Sequence, residues 1–343
     1  MLCKKVTWSA VKGEEKCGKS PKGEGALTNT PFCGIISQNA EKKGDLPMSK
    51  ANDKRLDSYL DMPPDLGSRA ENKVRSEREQ IVQKSNELIR KFKAEMNTPQ
   101  FKITLYLISK AYTLDNDLEY TFDIKDFCQC CGLDDDSGGN YKRLKREIRK
   151  LSNKSEWVEV WGDPDTEVLV RLVSKAWFNA RSGKVRIRLD EDIKPYILEL
   201  RKNWEQKGEL YTQFALLYTL PMKSLYSIRL YELLKSWANA TLSENEGHWW
   251  SIEQLQALLG SEYVRYQDFR RYVIETALKE INKYSDISVQ YEPIKDGRSY
   301  KYINFYIRNK TERELISVKA NNHHTLDGLQ MSFDDYGADG KPK

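Results

Sequence analysis

Apolar positions recur with helical or strand spacing between about residues 76 and 310, and the flanking stretches sustain no period. In the clearest stretch Tyr226, Leu230, Leu233 and Trp237 form a 4-3-4 stripe. Leu225, Ile228 and Leu234 add a second face, so the spacing predicts a helix buried on two sides. Trp250-Ser251-Ile252-Glu253-Gln254-Leu255 reads as a short extended lead-in, a serine cap and an amphipathic helix that stops at Gly260. Phe269, Val273, Ala277 and Ile281 mark the stripe of the next helix. Residues 287–291 and 300–307 alternate as strands, and Lys295-Asp296-Gly297-Arg298 between them carries the Asp-Gly signal of a hairpin.

The same order occurs earlier in the chain. Lys102-Ile103-Thr104-Leu105-Tyr106-Leu107-Ile108-Ser109-Lys110 parallels Ser227-Ile228-Arg229-Leu230-Tyr231-Glu232-Leu233-Leu234-Lys235. Phe122-Asp123-Ile124-Lys125-Asp126-Phe127, running to Gly132, parallels the stretch from Trp250 to Gly260, and a longer helix follows in each half. Asn153-Lys154-Ser155-Glu156-Trp157-Val158 parallels Asn282-Lys283-Tyr284-Ser285-Asp286-Ile287. Four segments in one order constitute an internal repeat. Each half reads as helix, short strand, helix, helix, strand, loop, strand, which is the winged-helix form of helix-turn-helix. The expected fold is α+β: two tandem winged-helix domains over 76–205 and 206–310, flanked by disordered tails over 1–75 and 311–343. In the first half strands are expected at 158–161, 168–173 and 185–189, with turns at 162–165 and 181–183. A helix over about 192–204, with Pro195 near its start, would link the halves.

Length and composition agree with two ordinary domains. The chain has 343 residues, 39% hydrophobic and 31% charged. No apolar run is long enough to span a bilayer and no secretory signal is visible, so the expected location is the cytoplasm. The six cysteines are then thiols. Lys and Arg exceed Asp and Glu by only 56 to 51, a net charge of +5. The placement of charge matters more. Lys142, Arg143, Lys145, Arg146, Arg149, Lys150 and Lys154 face a single acid, Glu147, a local footprint for phosphates.

If helices in the winged positions read DNA, the wheel selects side chains. With Phe269, Val273, Ala277 and Ile281 inward, Arg271 and Gln267 point outward and Arg270 lies on the flank, with Arg265 just before the helix. Arg271 is the first choice for a base contact, because arginine matches the two acceptors of guanine. Lys295 and Arg298 on the wing would contact backbone. In the first half Leu144, Ile148 and Leu151 inward turn Lys142, Arg146 and Arg149 outward, with Arg143 beside them.

Other motifs lead nowhere. Gly13-Glu14-Glu15-Lys16-Cys17-Gly18-Lys19-Ser20 spells a phosphate loop, yet Pro21 and nearby glycines follow where its helix should run, and no buried strand precedes it. Cys128, Cys130 and Cys131 lack zinc-knuckle spacing and a nearby histidine, and read as core thiols. The chain has three histidines, and His323-His324 do not form a His-x-His pair. No nucleophilic constellation stands out, so neither catalytic residues, nor a metal, nor a cofactor is expected. The 19 tyrosines and 8 tryptophans fall mostly on the stripes above and are assigned to packing rather than to stacking on bases.

Lys84-Ser85-Asn86-Glu87-Leu88-Ile89-Arg90, Lys223-Ser224-Leu225-Tyr226-Ser227-Ile228-Arg229-Leu230-Tyr231-Glu232-Leu233-Leu234, Asp268-Phe269-Arg270-Arg271, Lys279-Glu280-Ile281-Asn282 and Lys295-Asp296-Gly297-Arg298 carry a resemblance. Over about residues 80–310 the chain resembles the initiator Rep proteins of iteron-bearing, theta-replicating bacterial plasmids. The resemblance implies two winged-helix domains that bind direct repeats of double-stranded origin DNA as a monomer. It implies a dimer paired through the first domain that represses its own promoter, recruitment of the host initiator DnaA and the replicative helicase, and no covalent catalysis. The alternative is a winged-helix transcription regulator without a replication role, although no separate effector domain is visible. Near the end, Leu329-Gln330-Met331-Ser332-Phe333-Asp334 resembles the short peptides that bind the bacterial sliding clamp through residues such as Gln330, Met331 and Phe333, with one residue missing before Phe333.

Overall fold

The computed structural model describes residues 69–91, 96–111, 118–133, 139–152, 155–160, 163–208, 210–238 and 247–328. The phosphate-loop match at 13–20 and the clamp-like peptide at 329–334 lie outside them.

Ahead of the first winged unit come α1 (Arg69–Arg78), β1 (Ile81–Ser85) and α2 (Asn86–Lys91). The expectation of a disordered tail as far as 75 is corrected here, because α1 begins at Arg69 and Lys73 binds Asp126 at 2.6 Å. The unit itself is α3 (Thr98–Ala111), β2 (Glu119–Asp123), α4 (Ile124–Cys131), α5 (Gly139–Ser152), β3 (Ser155–Val160), β4 (Asp163–Arg171), β5 (Val173–Asn179) and β6 (Lys184–Leu189). Asn97 opens α3 reciprocally: its Oδ1 accepts from Gln100 N at 2.9 Å, and Gln100 Oε1 accepts from Asn97 N at 3.2 Å. Two of the orphan donors at the helix start are thereby satisfied. Gly132 ends α4 in the left-handed region, φ 68°. Cys128, Cys130 and Cys131 are buried thiols of α4, outside any disulfide.

Two corrections concern the strands of this unit. β3 and β4 form a separate two-stranded hairpin, and the wing that joins the three-stranded sheet, in the order β2-β6-β5, is the β5–β6 pair. The expected strand 168–173 breaks at Leu172, between β4 and β5, and just beyond it the register slips at Ser174, whose hydroxyl lies 3.1 Å from both Arg188 O and Leu189 O. This bulge redirects the chain from the outer hairpin into the sheet.

The link between the halves is also not one helix. It comprises a 3-10 turn Glu191–Ile193, α6 (Lys194–Ile197) and α7 (Leu200–Lys207). The break leaves the Pro195 carbonyl to Asn203 Nδ2 at 3.0 Å, so a side chain replaces the helical ladder. Next comes β7 (Tyr211–Ala215), which pairs antiparallel with β1 in the register Ile81↔Ala215 to Ser85↔Tyr211. Neither of these strands was expected from the sequence.

The second unit is α8 (Leu225–Ala238), β8 (His248–Ser251), α9 (Ile252–Leu259), α10 over 266–284, β9 (Ile287–Asp296) and β10 (Ser299–Asn309). Its sheet order β8-β10-β9 repeats β2-β6-β5, the first strand pairing with the last in both units. Ser251 Oγ caps α9 by accepting from Gln254 N at 3.1 Å, and Gly260 stops it at φ 64°. The interior is continuous: Phe127, Leu144, Ile148, Ile187, Leu230, Leu234, Phe269, Val273, Ile281 and Phe305 are all at most 1% exposed. Each such side chain contributes about 1.5–3 kcal/mol of burial.

The largest difference from expectation is α11 (Glu312–Gly328), where a flexible tail was expected from 311. Thr311 and Glu314 close its first turn as a capping box, Thr311 N donating to Glu314 Oε2 at 2.8 Å and Glu314 N to Thr311 Oγ1 at 3.4 Å. Val318, Asn322 and Leu326, four residues apart, are its buried line. The helix packs on α10, on α4 and on the turn after β7.

Candidate nucleic-acid interface

In the second unit, α10 is not a uniform α-helix. It comprises Tyr266–Asp268, a π-helical stretch Phe269–Ile274 and an α-helical stretch Glu275–Tyr284. The apolar spacing explains this. A four-residue repeat overshoots an α-helical turn by about 40° at each step. A wider π turn absorbs that drift, and Phe269, Val273, Ala277 and Ile281 all reach 0% exposure, with Ile274 added to the line. Arg271, half a turn from Phe269 in either winding, is exposed. So are Gln267, Arg270 and Arg265, the last standing at the N-cap.

These groups differ in their surroundings. Arg270 Nε binds Glu275 Oε1 at 3.0 Å, and Tyr291 OH donates to the same oxygen at 3.1 Å. Burial, and then the bond to Glu275, pushes the Tyr291 phenol up to about 12. The Arg271 guanidinium stands 5.4 Å from the Tyr272 ring on the open surface. The wing is a ten-residue and an eleven-residue strand joined at Gly297, φ 63°, with Lys295 and Arg298 exposed at its tip. Tyr266 on α10 packs against Tyr300 on β10, centroids 4.8 Å apart, and Lys295 Nζ lies 5.0 Å from the Tyr300 ring. Tyr263 stacks on Tyr272 at 5.4 Å. Tyr272 is 47% exposed and Tyr300 37%, so these rings border the basic surface, a role the assignment of tyrosines to packing missed.

In the first unit Leu144, Ile148 and Leu151 are buried and Lys142, Arg146 and Arg149 exposed, with Arg143 half-buried. Glu147 is the buried acid on this helix. It binds Arg146 Nε at 3.1 Å and Lys150 Nζ at 3.2 Å through Oε1, and accepts from Gln100 Nε2 at 3.0 Å through Oε2. Burial works to raise its carboxyl, but the bonds from Arg146, Gln100 and Lys150 outweigh it and hold the group below the usual carboxylate range. Arg146 is therefore tethered, while Lys142 and Arg149 stand on the surface.

A second basic surface was overlooked in the sequence. On the β5–β6 wing Lys175, Lys184, Arg186 and Arg188 are exposed, with Arg186 4.0 Å and Lys175 4.9 Å from the Trp177 ring. The strict alternation of Lys184-Val185-Arg186-Ile187-Arg188-Leu189 is the signal that marks it. The wings of both units thus carry cations beside an aromatic ring.

Two helix-turn-helix units, each closed by a hairpin and each exposing cations on its third helix, define a tandem winged-helix protein of the DNA-binding class. The sequence matches the model of the initiator replication protein WH1 domain over residues 81–235 and that of the initiator Rep protein WH2 domain over residues 251–307, so the chain belongs to the initiator Rep protein family. Among solved structures it is similar to the Pi initiator protein in complex with iteron DNA, with a TM-score of 0.53 and 17% identity, over 68% of this chain and 99% of that one. No curated protein matches it in sequence.

Proposed function

We propose that the protein initiates replication of a bacterial plasmid by binding directly repeated origin sites, with both winged units of one monomer on one repeat. The observation that carries this reading is the pair of helices with exposed cations, the row on α5 and Arg265, Arg270 and Arg271 at the start of α10, each beside a basic wing in a single chain. α10 reads base edges: Arg271 contacts a guanine directly, Gln267 and Arg265 flank it, and Arg270, held by Glu275, supports the surface. Lys295 and Arg298 contact backbone, as do Lys142, Arg143, Arg146 and Arg149 on α5. The protein acts by binding and recruitment, not by catalysis, and works in the bacterial cytoplasm. It dimerises through the first unit to repress its own promoter, and recruits DnaA and the replicative helicase.

Footprinting on the plasmid tests this reading. Several directly repeated protected sites of about two helical turns, next to an AT-rich segment, are expected. Protection of a single palindrome at a promoter, with none at repeats, would favour a transcription regulator instead.

A further inference from the structure

α11 ties the two helix-turn-helix units together through a short series of polar contacts. Asn322 is fully buried, and its Nδ2 donates to Tyr284 O at 2.7 Å and lies 3.3 Å from Leu217 O in the turn after β7. Tyr284 is the last residue of α10. Five residues on, Asp327 Oδ1 accepts from Arg78 Nη1 at 2.6 Å. Arg78 is 2% exposed, and its Nε and Nη2 donate to Cys130 O at 3.0 Å and Gln129 O at 2.8 Å. These carbonyls end α4, the helix that leads into α5, where the last turn leaves backbone oxygens able to take a side-chain donor. Leu326 closes the same corner, since a Cβ on Gly132 would lie 2.8 Å from its carbonyl oxygen. On the same helix, α11, Lys319 binds Glu79 at 2.7 Å and His323 binds it at 3.2 Å.

The end of one recognition helix is thus connected to the root of the other through one rigid element. We infer that α11 fixes the spacing and relative rotation of α5 and α10, with Asn322, Asp327 and Arg78 as positioning residues for two-unit DNA reading. The inference rests on the proposed binding of both units to one repeat. Each base pair adds about 3.4 Å and about one tenth of a turn, so a rigid pair of readers penalises a one-base-pair insertion between the half-sites. A loosened pair tolerates it. Mere loss of stability lowers the active fraction on every DNA equally and leaves that penalty unchanged.

The test uses the full chain and three duplexes: the native repeat, the repeat with one base pair inserted between its halves, and the repeat with one half scrambled. The wild type should lose about tenfold or more on insertion, comparable with one mismatched pair. Asn322→Ala/Asp327→Ala should bind the native repeat more weakly, keep its affinity for the half-scrambled duplex, and show an insertion penalty within about twofold. Asp327→Asn keeps the size of a half-exposed side chain and should move the same way to a lesser degree. It carries the test if the double variant does not fold. Variants that keep the full penalty, or that weaken equally on all three duplexes, overturn the inference while leaving two-unit binding intact. A wild type indifferent to both insertion and scrambling overturns two-unit binding itself, and the inference with it.

Discussion

Arg270 and Arg271 are adjacent, yet one is anchored and the other is open. The Glu275 carboxylate already neutralises Arg270, whereas Arg271 projects beside Tyr272 with its guanidinium available. Arg271→Ala should therefore cost about 1–3 kcal/mol on the cognate repeat and relax specificity at one position. Lys142 on α5 is an exposed point charge, so Lys142→Ala should weaken all sequences alike and lower the salt slope by roughly one unit. Binding to cognate and scrambled repeats at several salt concentrations separates the two. Equal losses on both DNAs for Arg271→Ala would make that residue a phosphate contact. The outward direction of Arg271 was legible from spacing alone, because the opposing stripe is unbroken. The tether on Arg270 was not, because Glu275 and Tyr291 meet it only in three dimensions.

Among the elements, α11 shows where sequence reading fails and why. Its buried line contains Asn322 and its neighbour His323 where apolar residues would advertise a helix, so periodicity is silent. The capping pair Thr311-x-x-Glu314 was the available signal. The π stretch in α10 likewise follows from a 4-4-4 spacing that a fixed angle per residue cannot represent. The helix-strand-helix order of both units was legible, since caps, glycine stops and stripes agree there. α11 also concentrates acid sensitivity. The hydrogen bond with His323, together with Lys319, outweighs burial and holds the Glu79 carboxyl at about 2; the bond from Arg308, together with Thr311, does the same for Glu314. Both folded values lie below the ordinary 4.5, so their stabilisation is complete above that pH and is lost as pH falls toward about 2. Hydrogen exchange should show α11 opening in that window before the sheets do, and Glu79→Gln should blunt the response. Both carboxylates are partly exposed, so added salt should shrink the effect. Gly132→Ala and Gly297→Ala share a left-handed backbone costing about 1–2 kcal/mol. Only the first also meets the Leu326 carbonyl, whereas nothing lies within 4 Å at the wing tip. Denaturant unfolding should rank Gly132→Ala as clearly the more damaging.

At the scale of the whole molecule, the two winged units are joined by buried polar contacts as well as by α11. β1 crosses to pair with β7, and its Lys84 Nζ binds Glu232 Oε1 of α8 at 2.7 Å, with both side chains at most 5% exposed. Lys84 Nζ also lies 4.9 Å from the Phe101 ring, and Lys102 Nζ donates to Leu220 O at 2.6 Å. Neither lysine was singled out in the sequence, since a buried charge is invisible until its partner is placed. A buried pair is weak evidence of net stability, because desolvation offsets much of the attraction. Removing one partner is different, as it strands the other charge in the interior. Lys84→Met should cost about 3–5 kcal/mol, while Lys84→Met/Glu232→Leu should recover most of that loss. Because the pair bridges the units, the single substitution should shift the unfolding midpoint of probes in both, Trp177 on β5 and Trp250 on β8. A double-mutant cycle in urea with site-resolved fluorescence measures this. If the double variant is as unstable as the single one, or only the Trp250 signal moves, the pair does not couple the two units.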